Sequence, residues 1–167
     1  MSSTLNHLKG QFPHHGRVEW IGVRPQKNSP IAPRKMVEAC ANYGLVGDHT
    51  SLTRGGKRQV TLFQAEYLPV VVSLHSDTSL SYEKFRRNIV VSGLNLNILV
   101  NEELQIGEAL IEITGLCHPC AKIERELGTG AYNALSGHGG ITAKIIQSGQ
   151  IRLGDSVKIV QCQTNLL

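Results

Sequence analysis

Ala109-Leu110-Ile111-Glu112-Ile113-Thr114-Gly115-Leu116-Cys117-His118-Pro119-Cys120-Ala121-Lys122-Ile123-Glu124 is the segment from which the fold is read. Apolar and polar residues alternate from Ala109 to Thr114, the period of a half-buried strand. Gly115 and Pro119 then interrupt before a helix-capable run, Ala121 to Leu127. The segment carries two thiols from a strand end to a helix start. Partial positive charge at a helix start lowers a cysteine pKa, so Cys120, nearest that start, is the candidate reactive thiol. The competing reading makes both cysteines small buried hydrophobes.

Upstream, Asn101 to Gly107 is a polar turn. Before it comes Tyr82 to Leu94, where Arg86 and Arg87 stand at the entrance to the apolar strand Ile89-Val90-Val91. Paired guanidiniums form a cationic site suited to phosphate, and Asn88 adds the donors and acceptor that a heterocycle edge needs. Further back, Thr53-Arg54-Gly55-Gly56-Lys57-Arg58-Gln59-Val60 is a basic, glycine-rich loop entering a strand. Its backbone N–H groups and cations suit an anion, although the spacing is not that of a nucleotide-hydrolysing P-loop. A solvated hairpin turn is the alternative. His49 reads as a hydrogen-bonded loop histidine, since one imidazole specifies no metal geometry.

Arg17 to Val23 and Met36 to Ala39 read as short strands about a Pro-bearing loop that starts at Arg24-Pro25, and Cys40 reads as packing. Residues 1 to 15 show no apolar period and are expected to be frayed. Val70 to Val72, after Pro69, is ambiguous between helix and buried strand. Downstream of Cys120, residues 128 to 140 form a glycine-rich stretch. Ile141 to Gln147 and Ile151 to Val160 follow as two β segments.

Chain length, 167 residues, fits one domain with a core large enough to need no disulfides. Seventeen glycines, few aromatics and short periodic stretches favour strands joined by turns and exclude an all-helical bundle. Four cysteines, two of them close together, do not form a disulfide framework. With neither a signal-peptide plan nor a long apolar run, a soluble, cytoplasmic protein is expected, with no membrane partner. A net charge of +4 without a basic tail or stacking aromatics argues against nucleic acid.

The order Gly47-Asp48-His49, Gly56-Lys57-Arg58-Gln59-Val60, Arg86-Arg87-Asn88-Ile89 with Gly93, Ile106-Gly107 before Cys117-x-x-Cys120, and Gly149-x-Ile151-x-x-Gly154-Asp155 resembles the MOSC family, named for the C-terminal domain of molybdenum cofactor sulfurases. The likeness runs from about residue 44 to residue 160. It implies a single MOSC domain over residues 1–167, mainly β and barrel-like with a few short α-helices. It also implies a molybdenum cofactor (molybdopterin) whose metal takes the thiolate of Cys120. Carried over by position, Arg87 and Asn88 would meet the pterin, and Lys57 and Arg58 the phosphate end.

A soft thiolate suits sulfur-bound molybdenum, and a cationic rim offsets a phosphate. The chain lacks the pyridoxal-phosphate half of the sulfurases, so pyridoxal phosphate is not expected. It also lacks the extra N-terminal barrel of the amidoxime-reducing relatives. The resemblance implies an oxidoreductase that reduces N-hydroxylated small molecules. Without a flavin or iron–sulfur motif, an electron-donating reductase is its expected partner. A non-catalytic carrier of the cofactor or its sulfur stays open, as does a thioredoxin-like dithiol enzyme built on Cys117-His118-Pro119-Cys120. A zinc site using Cys40, Cys162 and the histidines lacks ligand pairs at usable spacing.

Overall fold

The computed structural model describes residues 2–160. In chain order the elements are α1 (Ser2–Lys9), β1 (Gly16–Val23), β2 (Ala32–Arg34), β3 (Met36–Cys40), β4 (Gly44–Leu45), β5 (Val60–Gln64), α2 (Tyr67–His75), β6 (Ile89–Ser92), β7 (Glu103–Ile106), β8 (Ala109–Leu116), α3 (Ala121–Leu127), α4 (Ala131–Leu135), β9 (Ile141–Gln147), β10 (Gly149–Arg152) and β11 (Ser156–Val160). The large sheet runs β11-β7-β8-β9-β5-β6-β1, and β11 pairs back onto β1 to close a seven-stranded barrel. β2 extends β1 beyond the ring, and β10, β3 and β4 form a separate small sheet. The mainly β, barrel-like expectation therefore holds.

Period-two alternation divides the core. Val60 and Leu62 of β5, with Ile89 and Val91 of β6, point into the barrel. Phe63 and Val90 point outward, into a second cluster with Val71, Phe85, Ile123 and Leu135. Both strands are thus covered on two faces, which is why β6 reads as an apolar run and β5 buries even Thr61 and Gln64. Each such fully buried side chain contributes about 1.5–3 kcal/mol. Phe63 also stacks on Phe85, with ring centroids 4.7 Å apart. The outer cluster glues α2, α3 and α4 to one side of the barrel, the side that carries the thiols.

Several local expectations change. α1 is helical where fraying was expected, although Leu5 and Leu8 on it stay exposed. Val70–Val72 lie in α2, because Pro69 falls in the helix's first turn, where its missing N–H has no intrahelical partner to lose. α2 makes β5-α2-β6 a βαβ unit with parallel strands, a pattern the ambiguous run concealed. The glycine-rich stretch contains α4, and Ile151–Val160 splits into β10 and β11, with Arg152 N–H donating to Asp155 Oδ2 (2.7 Å) at the turn between them. Met1 and Cys162 lie outside the described residues. Among the described residues no helix is long and apolar enough to cross a membrane.

Candidate active site

The site begins with a register shift. β8 pairs with β9, and between Ile113 and Gly115 the ladder slips, so the strand bends as it leaves the sheet. Cys117 N–H then donates to Gly140 O at 2.8 Å, which ties the thiol segment to the returning chain. That return passes too close for any side chain. A Cβ on Gly139 would lie 2.2 Å from Cys117 O, and one on Gly140, whose φ is +93°, would lie 2.1 Å from Leu62 O. The glycines therefore let the two segments touch.

Cys120 is extended (φ −134°, ψ 170°) as the N-cap of α3. The two cysteines divide: Cys120 is exposed, whereas Cys117 is 2% exposed and accepts from Arg58 Nη2 at 3.4 Å. The Cys120 thiol faces the N–H of Lys122 without closing a full capping bond. That N–H, with the Ile123 N–H and the Arg87 and Arg58 guanidiniums, draws its pKa below the ordinary cysteine value.

Cys120 opens into a cleft of about 340 Å³ whose walls include Arg24, Arg58, Arg86, Arg87, His118 and Lys122. Arg86 is left-handed (φ +59°), and this turn sends the neighbouring arginines different ways. Arg86 reaches the rim, pairing with Glu126 at 3.4 Å and donating to Lys27 O at 3.3 Å. Arg87 is 7% exposed; its Nε donates to Gly139 O (2.8 Å) and its Nη1 to Phe85 O (3.0 Å). Among the described residues no carboxylate forms an ion pair with it. Burial lowers its pKa, the nearby Cys117 and Cys120 oppose that, and Arg58 and Arg86 add to it. Burial also lowers Arg24, Asp48 opposes, and the other three arginines repel it; its Nε is buried with no partner. Four crowded guanidiniums with spare donors suit an anion.

Asp48 and Asn88 brace this wall. Asp48 is 1% exposed; its Oδ1 accepts from Arg24 N–H (2.8 Å) and Asn88 Nδ2 (3.1 Å), and its Oδ2 from the Thr50 hydroxyl (2.7 Å). Asn88 Oδ1 accepts from the N–H (3.1 Å) and hydroxyl (3.0 Å) of Thr61, and its Nδ2 also donates to Gly22 O (3.2 Å). A backbone N–H on one side and a carbonyl on the other fix the amide's orientation.

Cys120, Arg58 and Arg87 thus share one cleft, as the sequence reading groups them. Asn88 does not join them: it is 2% exposed, and both ends of its amide are spent inside the protein. Lys57 is exposed and lies outside the cleft wall, with its carbonyl taking the Thr114 hydroxyl. The sequence reading passed over Arg24, which it left in a loop; the signal was its place next to β1, opposite the Gly47-Asp48 turn. The dithiol-enzyme reading meets the wrong connection, because Cys117 and Cys120 lie in the chain between the antiparallel strands β8 and β9 and are not part of the βαβ unit.

Among the described residues no group of three or more His, Cys, Asp or Glu side chains converges to hold a metal ion. Any metal here would need ligands of its own besides Cys120. The donor set fits a metal–pterin on two counts, a soft exposed thiol and buried cationic donors lacking an anion.

The crystal structure of the YuaD protein from Bacillus subtilis matches with a TM-score of 0.77 at 16% identity, covering 90% of this chain and 98% of that one. YiiM from Escherichia coli matches at 0.69 and 19%, covering 92% and 73%, and YiiM from Geobacillus stearothermophilus at 0.72 and 16%, covering 91% and 78%. At such identities the likeness speaks for the fold. Among curated proteins none matches. The family profile described as the MOSC domain matches residues 45–158, well over half of the sequence, and the chain belongs to that family.

Proposed function

We propose that this chain binds a molybdenum–pterin cofactor in the arginine-lined cleft and reduces N-hydroxylated compounds with electrons from a partner reductase. One observation carries the reading: an exposed, acidified thiol and a buried arginine without a carboxylate face the same cleft. When bound, the cofactor supplies the two-electron oxygen chemistry. Cys120 offers its thiolate to the metal, and Arg24, Arg58 and Arg87 hold the phosphate end. The assignment of Lys57 and Asn88 to direct contacts gives way to Arg24 for the anion, with Asn88 as a brace.

Reduction of an N-hydroxyl consumes two electrons and two protons and releases water. His118, exposed at the lip beside Cys120, is one of two imidazoles of the cleft, with His49, and the one open to solvent for passing protons. A second cleft of about 440 Å³, lined by Ile31, Glu83 and Leu127 and sharing Arg86 and Glu126 with the first, gives a substrate room beside the cofactor.

The carrier reading draws on the same exposed thiol, since an accessible sulfur is one that can be handed on. Molybdenum and pterin assays on protein made in cofactor-producing cells, followed by turnover of benzamidoxime with a chemical reductant, test both. The proposed function expects cofactor and turnover in the wild type, with turnover lost in Cys120→Ala. Cofactor without turnover favours the carrier, and a Cys120→Ala protein with full molybdenum and normal turnover overturns the site.

A further inference from the structure

Arg24, Arg58, Arg86 and Arg87 dominate the cleft wall, and guanidiniums donate hydrogen bonds without releasing their protons. Lys122 is occupied, its Nζ lying 3.0 Å from Asn28 Oδ1 and 3.7 Å from the Glu126 carboxylate. Imidazole is the side chain whose ordinary chemistry takes up and gives up protons near neutrality. The wall holds two, His118 at the exposed lip and His49, whose side chain is 22% exposed.

His49 is held from behind. Asp48 caps the short 3-10 turn His49–Leu52, and His49 N–H donates to Arg24 O at 2.7 Å, which pins the backbone under the ring to the loop after β1. The ring's Nδ1 is buried 3.5 Å from Asp48 Oδ2 and has no hydrogen-bond partner at that length. Asp48 is itself fixed, because its oxygens accept from Arg24 N–H, Asn88 Nδ2, Thr50 N–H (3.2 Å) and the Thr50 hydroxyl. A fixed, buried carboxylate beside one ring nitrogen keeps a proton on that nitrogen and offsets the charge of an imidazolium. Nε2, across the ring, is the nitrogen left to the cleft. Such a bond is often long before a substrate is bound.

We propose that Asp48 and His49 form the proton-donating pair of the cleft: His49 Nε2 protonates the oxygen that leaves an N-hydroxylated substrate, and Asp48 is the positioning residue behind it. The inference rests on the redox reading above and deepens it. In the step, the N–O bond breaks, the proton from Nε2 forms an O–H bond, and the oxygen departs as water. The two electrons come from the reductant, which is oxidised, and the nitrogen takes the second proton from solvent. His49 regains its proton from water at the cleft mouth, where His118 stands.

The test compares cofactor-loaded wild type with His49→Ala and His49→Gln. Molybdenum content is measured first, then benzamidoxime turnover with reduced methyl viologen, with and without added imidazole. The variants are expected to match wild type in molybdenum, to lose about 100-fold or more in kcat, and to keep KM within about threefold. Imidazole restores part of the rate to His49→Ala only. In cofactor-free wild type, nitrogen-15 NMR of the ring is expected to show neutral His49 with its proton on Nδ1.

Near-normal turnover in His49→Gln, which donates a hydrogen bond but not a proton, overturns the donor role alone. So does a neutral ring protonated on Nε2, or a rate that falls only in proportion to lost molybdenum. Loaded wild type without turnover overturns the redox reading and takes the donor role with it.

Discussion

Replacing Asn88 by alanine in cofactor-free protein separates a brace from a ligand contact. Asn88 makes three hydrogen bonds to neutral groups, the N–H and hydroxyl of Thr61 and the carbonyl of Gly22, and one to the Asp48 carboxylate. Neutral bonds contribute about 1 kcal/mol each and a bond to a charge about 1.5–3 kcal/mol. The partners are buried, and water cannot replace what is removed. With some sharing among the bonds, the expected loss is about 3–5 kcal/mol, large for a single substitution. Urea unfolding reads it directly: with a slope near 2 kcal/mol per molar, the midpoint falls by about 2 M. Asn88→Asp keeps the acceptor side but sets a second carboxylate against Asp48, so it destabilises as well. A midpoint within about 0.3 M of wild type in Asn88→Ala would refute the reasoning, because a residue reserved for a cofactor leaves the empty protein's stability unchanged.

Other consequences follow from the same geometry. Inorganic phosphate should raise the melting temperature of cofactor-free protein by relieving repulsion among Arg24, Arg58, Arg86 and Arg87, and Arg87→Met should abolish the effect; scanning fluorimetry reads both. Gly139→Ala drives a methyl against Cys117 O and should cost about 1–3 kcal/mol in chemical denaturation while lowering cofactor loading. Glu124 caps α4, its oxygens accepting from Gly130 N–H (2.8 Å) and Tyr132 N–H (2.7 Å), and these bonds, Tyr132 first, lower its pKa. Its stabilisation is therefore complete above the ordinary glutamate value of about 4.3 and fades as pH falls through the lowered folded value. Glu124→Ala should accordingly lag wild type in unfolding midpoint at pH 6, with the gap narrowing toward pH 3.

The strand-to-helix junction at Cys120 was legible because alternation, glycine, proline and a helix-capable run occur in an order that only one local path satisfies. Arg58 and Arg87 were legible as cations flanking apolar strands. Asn88 misled because sequence period gives the alternation of faces but not which face looks inward. The left-handed Arg86 just ahead of it resets that phase. Arg24 stayed hidden because its role depends on the buried carboxylate of Asp48, a contact between residues 24 and 48 that no local pattern announces. The parallel β5-α2-β6 crossover was obscured for a related reason: strands buried on both faces and a helix with an apolar core both appear as unbroken apolar runs.

Molybdenum K-edge X-ray absorption on cofactor-loaded protein bears most directly on the role of Cys120. The account predicts that Cys120→Ser removes one sulfur scatterer from the metal's shell and that Cys117→Ser removes none. An unchanged sulfur count in Cys120→Ser, or a loss in Cys117→Ser, would contradict it.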